Sequence, residues 1–260
     1  MQTNSTKLAR LLRRVRPIEL GATLKWLCGI TYRETAIGGR RFWLDPASDL
    51  GEMLLSNGCY ESEVSDLLVS LLKPGDTFVD VGANEGYFSL LASEKVGASG
   101  RVVAIEPQAR LWPTIIQNMA LNRRFNWTLV PSAIGECEGE VDLILYPSIN
   151  TGASTLVKDG RKTLFTRQRA LLMPLAAVFR ACSVGPVAVM KIDIEGFELN
   201  ALRSLGDLLS TGHVTHILVE LHPKQLKSLG QSVEQVAEIL TGAGYRKMST
   251  TVAEHWQRGA

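Results

Sequence analysis

The chain has 260 residues, which is enough for one large domain with a substantial hydrophobic core. Hydrophobic residues make up 45% of the sequence and charged residues 21%, a composition typical of a globular protein in water. The formal net charge of +2 excludes a strong overall attraction to nucleic acids or other polyanions.

Neither the cysteines nor the apolar runs indicate secretion or a membrane span. The four cysteines are scattered without a C-x-x-C pair or zinc-site spacing, which favours reduced thiols. Arginines interrupt every apolar run near the N-terminus, unlike the core of a secretory signal. The longest weakly charged run, residues 170–190, contains Arg180 and two prolines. We therefore expect a cytoplasmic protein.

The first predicted element is a short basic amphipathic helix at residues 6–16, with Leu8, Leu11, Leu12 and Val15 on one face. We expect this face to pack on the protein's own domain while the basic face stays in solvent. Peripheral contact with an anionic membrane or a glycan-assembly complex is the less favoured alternative. The sequence leaves open whether the chain forms a homodimer.

Residues 1–75 are predicted to form an N-terminal extension that packs on a core domain, residues 76–260. The extension would also contain a short aromatic strand at Arg41–Leu44 and an apolar helix at Glu61–Leu72. Pro and Gly in Lys73–Asp76 predict the turn into the core.

Strand and helix patterns alternate through the core domain, which predicts an α/β fold with a mostly parallel sheet. Strands are expected near residues 77–81, 101–105, 127–131, 187–193 and 214–221, and helices near 85–96, 109–122, 197–209 and 232–242. Two further segments, near 140–146 and 244–251, are predicted as antiparallel strands.

A long segment, residues 135–186, separates the third and fourth core strands and is predicted to be an insertion. It contains a predicted hairpin at Gly139–Tyr146 and a polar loop at Ile149–Thr155. Insertions near the carboxyl ends of parallel strands tend to shape substrate access.

The stretch Thr77–Tyr87 runs from an apolar strand through a turn with two glycines into a helix. Gly82 and Gly86 permit backbone conformations and close approaches that a side chain would forbid. Asp80 and Asn84 add side-chain recognition to this turn, which predicts a site for a nucleoside-bearing cofactor. The turn lacks the Gly-x-Gly pair of dinucleotide-binding folds and the Gly-Lys-Ser/Thr of a P-loop.

Glu106 ends the next predicted strand, 24 positions after Gly82. This spacing suits a carboxylate that accepts hydrogen bonds from the hydroxyls of a ribose. A ribose site without a strong phosphate site favours S-adenosylmethionine over NAD. The less favoured alternative is an ordinary strand-turn-helix with a capping Asn84 and a surface Glu106.

Several motifs together resemble the FkbM family of S-adenosylmethionine-dependent methyltransferases. The motifs are D-V-G-A-N-E-G at 80–86, A-I-E-P at 104–107, A-I-G at 133–135, K-I-D-I-E-G-F-E at 191–198, G-C-Y-E at 58–61 and V-E-L-H-P at 219–223. The resemblance covers about residues 40–248. It implies a class I methyltransferase (Rossmann-like) fold, with a seven-stranded, mostly parallel sheet and helices on both faces. It also implies O-methylation of sugars, glycans or natural products. The segment Pro174–Val178 departs from the family pattern, which usually has Leu-Asp there.

For the cofactor, we assign Asp80 and Asn84 to the methionine end, Gly82 and Gly86 to backbone contacts, and Glu106 to the ribose. Asp193 is a further predicted cofactor contact. Ser132, Ala133 and Ile134 follow the third strand, where a small polar and an apolar side chain would flank adenine. The resemblance also implies that Glu61 closes over the methionine moiety. A capping role for Glu61 at the start of its helix is an equal alternative.

Charged residues end two successive predicted strands. Strand alternation places Lys191, Asp193 and Glu195 on one side, and Glu220 shares a side with His222. Buried charges are costly unless they are paired or functional. The strand order that the resemblance implies makes these strands neighbours, so the charged groups would converge beside the reactive methyl group.

We therefore predict a methyltransferase in which Asp193, Glu220, His222 and Lys191 form the catalytic group. A base that removes the acceptor proton accelerates such a transfer by roughly 10²–10⁴-fold, and an ordinary His pKa suits that role. The sequence does not decide between His222, Asp193 and Glu220 as the base. A Lys191–Asp193 ion pair that only closes the strand is one alternative, and a purely structural His222 is another.

The predicted acceptor is a hydroxyl of a small molecule or glycan. Alternatives are an RNA methyltransferase, a non-catalytic nucleoside-binding scaffold and an NAD-dependent oxidoreductase. No ligand geometry in the sequence calls for a metal, so none is predicted.

Overall fold

A computed structural model describes residues 8–9, 11–12, 14–15, 18–145, 166–250 and 253–259 of the chain. The predicted polar loop at 149–155 lies outside the described residues, as does part of the predicted helix at 6–16.

The secondary structure follows the predicted alternation closely. The helices are α1 (Ile18–Leu27), α2 (Asp49–Asn57), α3 (Ser62–Leu71), α4 (Tyr87–Val96), α5 (Trp112–Leu121), α6 (Leu175–Ala181), α7 (Glu198–Arg203), α8 (Asp207–Ser210), α9 (Pro223–Ser228) and α10 (Val233–Gly242). The strands are β1 (Arg33–Ile37), β2 (Arg40–Leu44), β3 (Thr77–Val81), β4 (Arg101–Ile105), β5 (Trp127–Val130), β6 (Ser132–Ile134), β7 (Gly139–Leu145), β8 (Thr166–Met173), β9 (Val187–Ile192), β10 (Val214–Val219), β11 (Tyr245–Thr250) and β12 (Glu254–Arg258).

A seven-stranded sheet in the order β11-β12-β10-β9-β3-β4-β5 forms the centre of the protein. The strands from β10 to β5 pair in parallel, whereas β12 runs antiparallel to both of its neighbours. This topology confirms the predicted class I methyltransferase fold. Sequence reasoning did not find β12, because its five residues carry little of the apolar alternation that marks a strand.

Helices cover both faces of the sheet, and each face has its own hydrophobic cluster. On one face, α6, α7, α8 and α10 pack around residues such as Val79, Met190 and Ile217. On the other face, α2, α3, α4 and α5 pack around residues such as Phe78 and Val189. Neighbouring positions Phe78 and Val79 belong to opposite clusters, as the two-residue period of a strand requires.

The insertion supplies β7 and β8 to a separate three-stranded sheet in the order β6-β8-β7. The predicted hairpin at Gly139–Tyr146 is wrong. Gly139–Leu145 is a single strand, and its antiparallel partner is the later strand Thr166–Met173. Helix α6 begins after Pro174 without a side-chain cap, which agrees with the missing Asp of the family pattern.

The N-terminal part of the chain packs on the core. Phe42, Leu54 and Leu68 belong to the same hydrophobic cluster as Phe78 of β3. Among the described residues, none of the helices combines the length and apolar character needed to cross a bilayer. The division of the chain at residue 75 stays a prediction.

The direction in which successive strands are added to the sheet reverses between β3 and β9. From β3 the sheet grows through β4 to β5, and from β9 it grows the other way through β10. Open α/β sheets bind ligands outside the carboxyl ends of strands at such a switch point. The fold therefore places the turns after β3 and β9 where a ligand site is expected.

Candidate active site

A cleft opens at this switch point. Seven of the residues assigned to the cofactor line it: Gly82, Asn84, Glu106, Ser132, Ala133, Ile134 and Asp193. Glu61, Asp80 and Gly86 are not part of its wall. Glu195 also lines the cleft, together with seven residues that the sequence did not single out: Val81, Ile105, Pro107, Gln108, Leu143, Ile194 and Phe197.

Gly82 and Gly86 are required by contacts within the protein. Gly82 has φ +89°, and a Cβ there would lie 2.0 Å from the carbonyl oxygen of Asp193. Gly86 has φ +82°, and a Cβ there would lie 3.2 Å from a methyl carbon of Ile115. Their amides donate to the carbonyls of Ile105 and Ala83, at 3.0 and 2.8 Å. A cofactor contact at these glycines stays a prediction. Because both amides already donate within the protein, such a contact would come from close approach of the cofactor to the backbone.

Glu106 joins the turn after β3 to the turn after β4. One carboxylate oxygen accepts from the amide of Asn84 and the other from the amide of Gln108, both at 2.8 Å. Burial raises the pKa of Glu106 to about 7. Because each carboxylate oxygen has a second lone pair, Glu106 can still accept hydrogen bonds from a ligand in the cleft.

Ser132, Ala133 and Ile134 form strand β6 and are buried in one wall of the cleft. The hydroxyl of Ser132 has no hydrogen-bond partner among the described residues. A buried hydroxyl without a partner is costly, and a polar ligand atom in the cleft would satisfy it.

Asp80 and Glu61 are absent from the residues that line the cleft. Asp80 is buried, and one of its oxygens accepts from the hydroxyl of Ser89 at 2.6 Å. Glu61 precedes α3 but makes no side-chain cap, so the structure gives no support to the capping alternative. Burial raises the pKa of Glu61, while the nearby charge of Lys191 opposes that rise. Cofactor contacts by Asp80 and Glu61 stay predictions.

Lys191 is a buried cation at the base of a group of carboxylates. Its Nζ lies 2.9 Å from Asp193 Oδ2 and 4.7 Å from the centre of the Phe88 ring. Asp80, on the adjacent strand β3, pairs in register with Lys191. Burial disfavours the charged amine, but the charges of Asp193, Asp80 and Glu61 outweigh it and raise the pKa of Lys191. Lys191 thus stays charged and acts here as a counter-ion.

His222 stands at the centre of the charged group. Its Nδ1–H donates to Glu198 Oε1 at 2.8 Å, and its Nε2 lies 3.7, 3.9 and 4.0 Å from oxygens of Glu195, Asp193 and Glu220. Burial disfavours the charged ring, but the bond to Glu198 and the surrounding carboxylates raise the pKa of His222 to about 9. The ordinary pKa assumed from the sequence is therefore wrong, and His222 is protonated at neutral pH.

Glu198 is a residue of the site that sequence reasoning missed. It is fully buried, and its Oε1 also accepts from the amide of Gly196 at 2.8 Å. Its position in the K-I-D-I-E-G-F-E motif was a usable signal.

Glu220 faces the same space as His222. Burial and the neighbouring charge of Asp193 raise the pKa of Glu220 to about 7. Atoms of Asp193, Glu220 and His222 lie within 4.8 Å of one another, close enough to hold a metal ion. Because proximity alone does not show that a metal binds, the metal-free site stays a prediction.

Comparison with known proteins decides the family. Residues 80–247 match the family described as the methyltransferase FkbM domain, which is more than half of the chain. The chain belongs to the FkbM methyltransferase family. Its cofactor is accordingly S-adenosylmethionine, the methyl donor predicted from the turn after β3.

Two curated proteins show what this FkbM domain is similar to. Hexuronic acid methyltransferase AglP of Haloferax volcanii is 26% identical over 196 residues, which are 75% of this chain and 72% of that protein. Ribosomal RNA large subunit methyltransferase E of Legionella pneumophila is 45% identical over 51 residues, only 20% of this chain and 25% of that protein.

Solved structures give weaker matches to this FkbM domain. A SAM-dependent O-methyltransferase from Thermotoga maritima has a TM-score of 0.45 at 12% identity, over 88% of this chain and 78% of that chain. A SAM-dependent methyltransferase from Aquifex aeolicus has a TM-score of 0.41 at 16% identity, over 76% and 90%. Both scores lie below 0.5, so neither adds to the assignment.

The cleft of this FkbM domain fits S-adenosylmethionine. Ser132 offers an unsatisfied buried hydroxyl beside the apolar side chain of Ile134, which suits an adenine. Glu106 offers acceptor capacity for ribose hydroxyls. Carboxylates outnumber cations around His222, which suits a positively charged sulfonium.

Proposed function

We propose that the protein transfers the methyl group of S-adenosylmethionine to a hydroxyl of a sugar, glycan or natural product. The observation that carries this proposal is the convergence of Asp193, Glu220 and His222 at the cleft. A hydroxyl becomes a good nucleophile only when a neighbouring group accepts its proton. The carboxylates provide that acceptor next to the site of the cofactor.

Within this group, we assign the proton acceptor to Glu220. The pKa of Glu220, about 7, makes its carboxylate both available and sufficiently basic at neutral pH. His222 already holds its proton there, since its pKa is about 9. The imidazolium, oriented by Glu198, would hold Asp193 and Glu220 in place around the acceptor hydroxyl.

The cofactor supplies an electrophilic methyl group on a sulfonium. Most of the remaining catalysis comes from alignment, since fixed geometry can lower a barrier by roughly 7–11 kcal/mol. Asp193 lies both at the cleft wall and in the charged group, so it is suited to position the acceptor hydroxyl.

A sugar acceptor is supported by the relative that is a hexuronic acid methyltransferase. The ribosomal RNA methyltransferase matches only 51 residues and gives less support for RNA.

The test is transfer of a labelled methyl group to a panel of acceptors. The panel contains neutral glycosides, hexuronates and structured RNA, and the chemical shift of the transferred carbon identifies methylated oxygen. We expect label in the sugars, loss of transfer in Asp193→Asn, and full transfer in Glu140→Gln, which alters an exposed carboxylate. Dialysis against EDTA should leave transfer unchanged.

Label that enters only the RNA would refute the proposed acceptor class. Tight binding of S-adenosylmethionine without transfer to any acceptor would instead favour the scaffold alternative.

A further inference from the structure

Helix α1 carries an apolar surface that faces solvent. The side chains of Leu20, Trp26 and Leu27 are 46%, 74% and 65% exposed. At about 100° per residue, these three side chains share an arc of about 120° on the helix. A single exposed Leu is ordinary, but three large apolar side chains on one arc indicate a contact surface.

Other side chains of α1 are fixed to the protein. Lys25 forms an ion pair with Asp45, and both side chains are buried. Leu24 packs against a small hydrophobic cluster formed by Ala9, Leu12, Ile30 and Ala47. Because these side chains are held by the ion pair and packing, the outward direction of Trp26 and Leu27 follows from the fold.

Positive charge is concentrated in the same part of the chain. Residues 1–30 contain six Lys and Arg and one Glu, whereas the rest of the chain contains 22 basic and 25 acidic residues. Leu11, in the middle of this basic segment, was predicted to pack on the domain like Leu12, but it is 62% exposed whereas Leu12 is buried, so the prediction is wrong for Leu11. We call the exposed side chains of Leu20, Trp26 and Leu27 the N-terminal surface.

We propose that the N-terminal surface binds the headgroup region of an anionic lipid bilayer. Exposed Trp and Leu in a segment of sequence rich in basic residues are the pattern of helices that lie in the membrane interface. A second copy of the chain fits less well, because each segment keeps a net charge of +4 after Lys25 is paired with Asp45, and two such segments would repel each other in a symmetric contact. This proposal is independent of the proposed acceptor.

Vesicle flotation of the full-length protein tests the proposal. We expect the protein to float with vesicles of phosphatidylcholine and phosphatidylglycerol, and much less with phosphatidylcholine alone. Added salt should weaken binding, since dissolved ions screen the attraction between basic residues and anionic headgroups. Trp26→Ser/Leu27→Ser should lower the partition coefficient at least about tenfold, because it removes two apolar side chains from the interface.

Phe125→Ser is the matched control, since Phe125 is 85% exposed and lies outside the N-terminal surface. It should bind anionic vesicles like the parent, and circular dichroism should show that both variants are folded. An equal loss of binding in Phe125→Ser, no loss in the double variant, or no binding of the parent at low salt would overturn the proposal. So would light scattering that shows a dimer dissociating in the double variant without vesicles.

Discussion

The two sides of the cleft are built in different ways. On the cofactor side, Glu106 binds the backbone amides of Asn84 and Gln108, and β6 supplies a wall of small and apolar side chains. On the acceptor side, side chains bind one another: Lys191 pairs with Asp193, and His222 pairs with Glu198. The backbone amides on the cofactor side have positions fixed by the fold. On the acceptor side, each charged side chain is held by another charged side chain.

The two sides meet where Gly82 contacts the carbonyl of Asp193. This contact holds the residue after β3 against the residue after β9, so the cofactor turn and the charged group touch at this point of the backbone. Changes there should disturb both sides, and changes further away should disturb only one.

Gly82→Ala should have the largest effect, because its Cβ would lie 2.0 Å from the Asp193 carbonyl oxygen. We expect the free energy of unfolding to fall by about 3 kcal/mol or more, with loss of both cofactor binding and transfer. Gly230→Ala is the control, since Gly230 also has positive φ but no atom within 4 Å of the added Cβ. Gly230→Ala should lower the free energy of unfolding by only about 1 kcal/mol. Urea unfolding and calorimetry measure both, and equal losses would contradict the packing role of Gly82.

Asp193→Ala should lower transfer by roughly 10²–10⁴-fold and stability by about 3 kcal/mol, because it leaves the buried Lys191 charge without its partner. Adding Lys191→Met should restore most of the stability but none of the transfer. Urea unfolding and turnover of the single and double variants provide the measurement. Recovery of transfer in the double variant would show that Asp193 acts only through Lys191.

Glu106→Gln should weaken binding of S-adenosylmethionine by roughly 10–100-fold, since an amide replaces one of the two acceptors with a donor. Calorimetric titration gives this number, and Glu34→Gln, at an exposed position, should change nothing. Because the pKa of Glu106 is about 7, affinity in the parent should fall as pH drops below 7, when the carboxylate gains a proton. A pH-independent affinity would contradict the role of Glu106.

Glu198→Gln should have the smallest effect on transfer, about tenfold, because Glu198 acts by holding His222. Its clearer consequence is on the pKa of His222. An NMR titration should give a value of about 9 in the parent and a lower one in the variant, because the hydrogen-bonded carboxylate is gone. An unchanged pKa of His222 in Glu198→Gln would show that Glu198 does not control the protonation of His222.

Most of the core fold could be predicted from the sequence, because buried parallel strands leave continuous apolar runs between helices. Strands β3 and β4 have the predicted bounds. The pairing of β7 with β8 could not be predicted, since β8 begins some 20 residues after β7 ends and no local turn fixes the register.

The cofactor side was the easier half of the site to predict. Gly82, Asn84 and Glu106 lie in short turns directly after strands, so their position along the chain fixes their position in space. On the acceptor side, the residue types were found but their protonation was not. The pKa of His222 depends on Glu198 and Glu195, whose distances to the imidazole arise only in the folded chain.

The pH dependence of kcat/KM tests the assignment of the proton acceptor most directly. With S-adenosylmethionine kept saturating, so that protonation of Glu106 does not limit cofactor binding, kcat/KM for the acceptor in the parent should rise through an apparent pKa near 7, as Glu220 ionises. It should fall above about 9, as His222 loses its proton. Glu220→Gln should abolish the rise near 7. A single rise near pH 9 that survives in Glu220→Gln would contradict this account and make His222 the base.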